Sequence, residues 1–358
     1  MSIIKVNNQI SRESNFELLR IIAMILIISH HLACFGYFEH ASENLSVLYN
    51  NIFSALLVPF GKLGVVLFVL ITGYFMINSN TKIKSLLNLY FQTLIYSCSI
   101  LGIFLFSGTN ISKEDILKSI LPITHSTYWF ITTYLILYLL IPTLNYLLKI
   151  IEKKKYECYL LGILTILYLF VHTYITSFIY LYILGAYIKK EIFPLNMIKI
   201  KHCIYTILCL FSFAIIYTCI KIQFCSNLEQ ILNAMHKLSV MHSPFLLTCA
   251  LCIFYIVKNC KIKANIIINS IALSVFPVYL IHENFLIRPI LWGCTMKILN
   301  HTSPNMYILL VILITVCILL ACILTDKLFG YLYKPIIKII VNFINNIINK
   351  VVLKLQKD

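Results

Sequence analysis

The apolar residues of this chain fall in long runs separated by short, lysine-bearing polar intervals, the pattern of a chain that crosses a bilayer many times. Ten runs approach the ~20 residues a helix needs to span the hydrocarbon. They lie at 15–36, 57–78, 85–106, 128–148, 157–173, 175–188, 203–221, 243–257, 268–291 and 305–325. They predict an all-α fold, a polytopic membrane helical bundle of about ten transmembrane helices. The fifth and sixth runs are short and close together, which fits a tight helical hairpin or a re-entrant pair. Beyond the last run, Ile336, Ile340, Phe343, Ile347, Val351 and Leu355 recur at three- and four-residue spacing, with lysines and asparagines on the other face. This divides the chain into a transmembrane domain, 1–332, and a basic amphipathic cytoplasmic tail helix, 333–358, laid along membrane lipids.

Composition narrows the class. Of 358 residues 60% are hydrophobic and 12% charged, with a mean hydropathy of +0.90, which excludes an ordinary soluble domain. The net charge of +16 has no separate basic domain to carry it, so it is loop charge and argues against nucleic acid as a partner. With the N-terminus inside, Lys5, Arg12, Lys82, Lys84, Lys149, Lys153, Lys154, Lys155, Lys189, Lys190, Lys199, Lys201, Lys258, Lys261, Lys263 and the lysines of the tail, Lys357 among them, face the cytoplasm. Only Lys113, Lys118, Lys221, Lys237 and Lys297 fall opposite, a bias that predicts a multi-pass protein with both termini cytoplasmic. The first apolar run is longer than a signal-peptide core and lacks a small-residue cleavage site after it, so it reads as the first span. The 13 cysteines lie mainly within spans, and Cys249-x-x-Cys252 has neither a second pair nor a histidine cluster beside it, so no metal site is expected.

Polar side chains inside the spans carry the chemistry. The first span, ELLRIIAMILIISHH, holds Glu17, Arg20, His30 and His31. An ionised group at the centre of a membrane helix costs roughly 2.5 kcal/mol or more. Eleven residues return a helix to within about 20° of its starting face, so Arg20 and His31 point the same way, roughly 16 Å apart along the axis. Glu17, one turn from Arg20, accounts for that cation by a local ion pair but leaves His31 unexplained. PVYLIHENFLIR in the ninth run places His282 and Glu283 at the depth of His31. Two histidines and a carboxylate at one level fit a proton-handling centre, or an interhelical network that fixes packing. GKLGVVLFVLITGYFMI combines closely approaching glycines with Thr72 and Tyr74, and YWFITTYLILYLLIPTLN opens with the interfacial pair Tyr128 and Trp129. Buried Arg, His and Glu also suit a proton-coupled transporter or exporter of a small polar or saccharide substrate, against which stands the lack of an inverted repeat or paired broken spans.

Taken in order, these four segments resemble the successive signatures of the acyltransferase 3 family, bacterial integral-membrane O-acyltransferases. The likeness covers nearly the whole chain. Its most specific element is an arginine, ten intervening residues and a histidine, which Arg20 and His31 match. The resemblance implies transfer of an acyl group, usually acetyl from cytoplasmic acetyl-CoA, to hydroxyls of surface or exported carbohydrates in the bacterial cell membrane. The implied partners are an acyl-CoA donor substrate and a saccharide or lipid-linked glycan acceptor, with no permanently bound cofactor. Arg20, His31, His282 and Glu283 form the expected catalytic set, with His31 as the base, and Arg20, Lys84, Thr72 and Tyr74 the expected donor-binding set. Two positions depart from the family pattern: Thr72 stands where serine is usual and Lys84 where arginine is. Threonine keeps the hydroxyl, while lysine keeps the charge without arginine's two-pronged contact.

Overall fold

The computed structural model describes residues 13–42, 47–79, 82–151, 154–192 and 198–355, and all regular structure among them is helical. Lys5, Arg12, Lys153 and Lys357 of the charge bias lie outside the described residues. Helix α1, Ser14–His31, runs on through a π-helical stretch, Leu32–Tyr37, into one last turn, α2, Phe38–His40. Such a stretch widens a helix locally and recurs beside functional side chains, and here it begins immediately after His31. Next come α3, Leu48–Leu57, and α4, Phe60–Met76. Helix α4 is antiparallel to α1: Gly61 lies against His30 at one end, and the Phe16 ring stacks 5.0 Å from Tyr74 at the other.

The long α5, Ile83–Phe106, leads to a short surface helix, α6, Lys113–Ile120, whose Ser112 cap accepts from the Asp115 amide at 3.1 Å. Helices α7, Trp129–Ile150, α8, Lys154–Phe170, and α9, Tyr174–Lys189, follow. Two glycines let α4 and α9 touch backbone to backbone. A Cβ on Gly73 would strike the Tyr182 carbonyl, and one on Gly185 would strike the Leu70 carbonyl, so only glycine fits at either place. Helix α10, Ile200–Phe224, turns Ile204, Tyr205, Leu208, Phe211 and Ile216 outward, as a lipid-facing helix must. Amphipathic α11, Leu228–Leu238, and α12, Pro244–Asn259, precede the segment that matters most for function.

That segment is not one span. The apolar run 268–291 is divided into α13, Ile266–Ala272, α14, Val275–His282, and α15, Ile287–Asn300, with a 91° bend between the last two. The expectation of a single continuous helix is therefore corrected. Three consecutive polar residues, His282, Glu283 and Asn284, interrupt the helix. The Asn284 side chain accepts from the Leu286 amide at 2.9 Å, and its own carbonyl accepts from the Ile287 and Arg288 amides, closing the turn that starts α15. Non-helical backbone at membrane depth survives only when its polar groups are satisfied inside the protein.

The final helix, α16, runs unbroken from Tyr307 to Leu355. At ~1.5 Å per residue it is far longer than a bilayer is thick. The stretch from 333 onward continues this helix rather than starting a new one, and the side chains of Asn349 and of 351–358 lie outside those described. Six described helices are long and apolar enough to cross a membrane, seven if the bent pair counts as one span, rather than ten. Each of the ten apolar runs is nonetheless helical. Tyr174–Lys189 and Pro244–Asn259 are apolar but shorter.

Candidate active site

Four elements converge on His31. It ends α1, where the ring is buried, and the broken segment brings to it His282, 251 residues away in the chain, together with the adjoining Glu283. His31 Nδ1 lies 3.1 Å from His282 Nε2 and 3.2 Å from Glu283 Oε2. The expectation that His31, His282 and Glu283 share one depth matches this meeting. Arg288, on the first turn of α15, folds back so that its guanidinium donates to Glu283 Oε1 at 3.2 Å, while its plane covers the Phe35 ring at 4.3 Å. The centre is thus a chain: Arg288 holds Glu283, Glu283 faces His31, and His31 meets His282.

The hydrogen positions follow from the partners. His282 Nδ1 sits 2.6 Å from the Val278 carbonyl, which only accepts, so neutral His282 carries its hydrogen on Nδ1 and presents a lone pair at Nε2. That lone pair requires the hydrogen of His31 on Nδ1. The Nε2 of His31 is then left with the free lone pair, the tautomer of an imidazole base. His30 is turned away and serves packing, its Nδ1 donating to the Val58 carbonyl at 2.6 Å.

The break itself is latched from α7. Tyr128, buried, donates its hydroxyl to the Leu280 carbonyl at 3.1 Å and accepts from Asn284 Nδ2 at 2.8 Å. It satisfies backbone freed by the bend, so it is an internal strut rather than the interfacial anchor its place in the sequence suggests. Trp129 does lie beside a polar group: the Lys62 ammonium rests 3.7 Å from its ring centre and 4.7 Å from that of Tyr174.

The expected donor-binding residues do not form one cluster. Arg20 pairs with Glu17 at 2.7 Å, remains 29% exposed in its side chain, and lies 5.9 Å from the Phe75 ring. Thr72 donates to the Phe68 carbonyl and sits 3.4 Å from the Tyr134 hydroxyl, which the Arg20 charge also reaches. Tyr74 turns the other way, buried against Phe16 and Phe254, and Lys84 is exposed and donates to Asn342 Oδ1 at 2.8 Å. Arg20, Thr72 and Tyr134 therefore share a neighbourhood toward the Ser14 end of the bundle, apart from Lys84.

Sequence reasoning missed Arg288 as a partner of Glu283, and it missed Lys62. The signal for the first was present: three successive polar residues flanked by Pro277 and Pro289 inside an apolar run mark a break that can fold a following arginine back. Among the described residues no group of three or more His, Cys, Asp or Glu side chains could hold a metal ion.

The chain is thus a multi-pass helical membrane protein in which a buried imidazole meets a carboxylate and a second imidazole. The family match gives that class its reaction: the model described as an acyltransferase domain covers residues 13–327, and the chain belongs to this acyltransferase family. It is a membrane acyltransferase that moves groups other than aminoacyl groups. Searches of curated proteins and of solved structures return no match.

Proposed function

We propose that the protein is an O-acyltransferase that moves an acetyl or similar acyl group from cytoplasmic acyl-CoA to a hydroxyl of a surface or exported saccharide. The observation that carries this reading is the meeting of His31 Nδ1 with His282 Nε2 and Glu283 Oε2, which leaves Nε2 of His31 as the lone-pair nitrogen. Sugar hydroxyls are weak nucleophiles at neutral pH, and a positioned base contributes roughly 10²–10⁴-fold to such a step. In the reaction the acceptor oxygen bonds to the thioester carbonyl carbon as its proton passes to His31 Nε2. The C–S bond then breaks, and the departing CoA thiolate takes that proton. Glu283 stabilises the imidazolium between the two events, and Arg288 keeps the carboxylate aimed.

Arg20 fits the donor side. A guanidinium makes two-pronged contacts with phosphate, and Thr72 and Tyr134 add hydroxyls nearby. In the orientation expected from the lysine bias, the Ser14 end faces the cytoplasm of a bacterial cell, where acyl-CoA is available. The extended pantetheine arm then reaches from Arg20 toward His31. The bent α14–α15 pair is also a feature of transporters, whose broken helices line substrate paths.

One experiment separates the two. Membranes containing the protein are incubated with labelled acetyl-CoA and candidate glycans, beside the His31→Ala variant. Label is expected in glycan with the native protein and at background with the variant. Saccharide flux across vesicles without label transfer would overturn the acyl-transfer reading of this substrate pair.

A further inference from the structure

A second polar site lies at the Trp129 end of the bundle, beyond the histidine centre. It is a cavity of about 380 Å³ lined by Lys62, His172, Ser177, His236, Ser239 and His242, among others. That volume is within the range of small-molecule sites, roughly 300–1,000 Å³. Its lining is one-sided in charge: a lysine and three histidines, with no aspartate or glutamate.

Lys62 is the unusual member. An ammonium has three hydrogens to donate. Among the described residues none of the Lys62 hydrogens meets an oxygen, and no carboxylate lies within 4 Å. Two aromatic faces, Trp129 and Tyr174, hold the charge instead. Cation–π contacts of this kind give about 0.5–2 kcal/mol and leave the N–H groups unused. The His172 and His242 rings meet edge to face at 3.8 Å, and Ser239 is tied to the His236 carbonyl, so the wall around Lys62 is fixed while its donors stay open. Lys62 follows Gly61, which packs against His30, the chain neighbour of His31, so the two sites adjoin.

We infer that this cavity is the acceptor port and that it takes a phosphorylated saccharide, its phosphate received by Lys62 with His172 and His236. A phosphate supplies the acceptor oxygens that the lysine lacks. The attached sugar then has a hydroxyl beside the histidine centre. The inference rests on the saccharide-acceptor reading above and names the charge of that acceptor.

The test is calorimetric binding to the full-length protein in neutral detergent, with four probes: glucose 1-phosphate, glucose, inorganic phosphate, and short-chain phosphatidylglycerol. Glucose 1-phosphate is expected to bind at least tenfold more tightly than glucose, and Lys62→Met to weaken it by at least tenfold. Lys62→Arg, which keeps the charge, is expected to restore most of the affinity. His236→Gln is a second variant, expected to weaken the same probe should Lys62→Met fail to fold. Equal binding of sugar and sugar phosphate overturns the inference. So does affinity unchanged by Lys62→Met and His236→Gln, and so does binding of phosphatidylglycerol alone, which would make the port a lipid site. His31→Ala is expected to bind glucose 1-phosphate normally while transferring nothing. Binding that stands while saccharide acylation fails would thus sink the proposed reaction and leave the port.

Discussion

Replacing Glu283 by glutamine tests the centre most sharply, because the side chain keeps its shape and loses its charge. The carboxylate lies 3.2 Å from His31 Nδ1. At an effective dielectric near 20, a unit charge there attracts an imidazolium by about 5 kcal/mol. Arg288, 3.2 Å from the other oxygen, opposes part of that. If half survives, the loss of about 2.5 kcal/mol falls on the step in which His31 carries the proton, a drop of roughly 50- to 100-fold in kcat. KM for the donor should move little, since Glu283 does not line the Arg20 region. The assay is release of CoA thiol and label transfer by purified protein in detergent, with thermal unfolding followed in parallel. Glu283→Gln protein that unfolds at the native temperature and retains activity within threefold would refute the idea that the carboxylate stabilises a proton on His31.

Other changes probe how the centre is held. Tyr128→Phe removes the hydroxyl that joins Leu280 and Asn284, leaving a buried amide unsatisfied at a cost of about 1–3 kcal/mol; both Tm and kcat should fall, and activity with native Tm would show that the latch is dispensable. Gly73→Ala forces a methyl into the Tyr182 carbonyl, so a lower melting temperature in detergent, equivalent to roughly 1–3 kcal/mol of overpacking, is expected. Asp326, buried, accepts from Tyr96 at 2.8 Å, Tyr333 at 2.8 Å and Ser274 at 2.6 Å. Asp326→Asn turns an amide donor against one of those hydroxyls and should lower stability by about 1–3 kcal/mol, as read by thermal unfolding, with activity lost only in proportion to folded protein.

What was legible in the sequence is what depends on local periodicity. Helical spacing placed Arg20 and His31 on one face, and counting residues from the same end of two parallel runs put His31 level with His282. The Glu17–Arg20 pair is likewise a one-turn contact. The break after His282 was hidden because hydropathy averages over it, and because it is stabilised by Tyr128, 156 residues distant from Asn284. Lys62 sits near the start of the second apolar run, and nothing in its own neighbourhood reveals that Trp129 and Tyr174 will cover it. Lys84 was grouped with the donor residues by motif order alone. In the folded chain it meets Asn342 because α16 continues as one helix past the point where the tail was expected to turn.

The bend between α14 and α15 has an electrostatic consequence. A helix that ends inside the bundle leaves the negative pole of its aligned peptide dipoles there, equivalent to about half an elementary charge and felt within the last turn. Helix α14 ends at His282, so this pole lies at the level of the His31 ring. A straight helix through the membrane would carry that field to the far surface, where water would quench it. By stopping short, the main chain keeps a partial negative charge of its own beside Glu283 and His31, carried by atoms that no side-chain substitution removes.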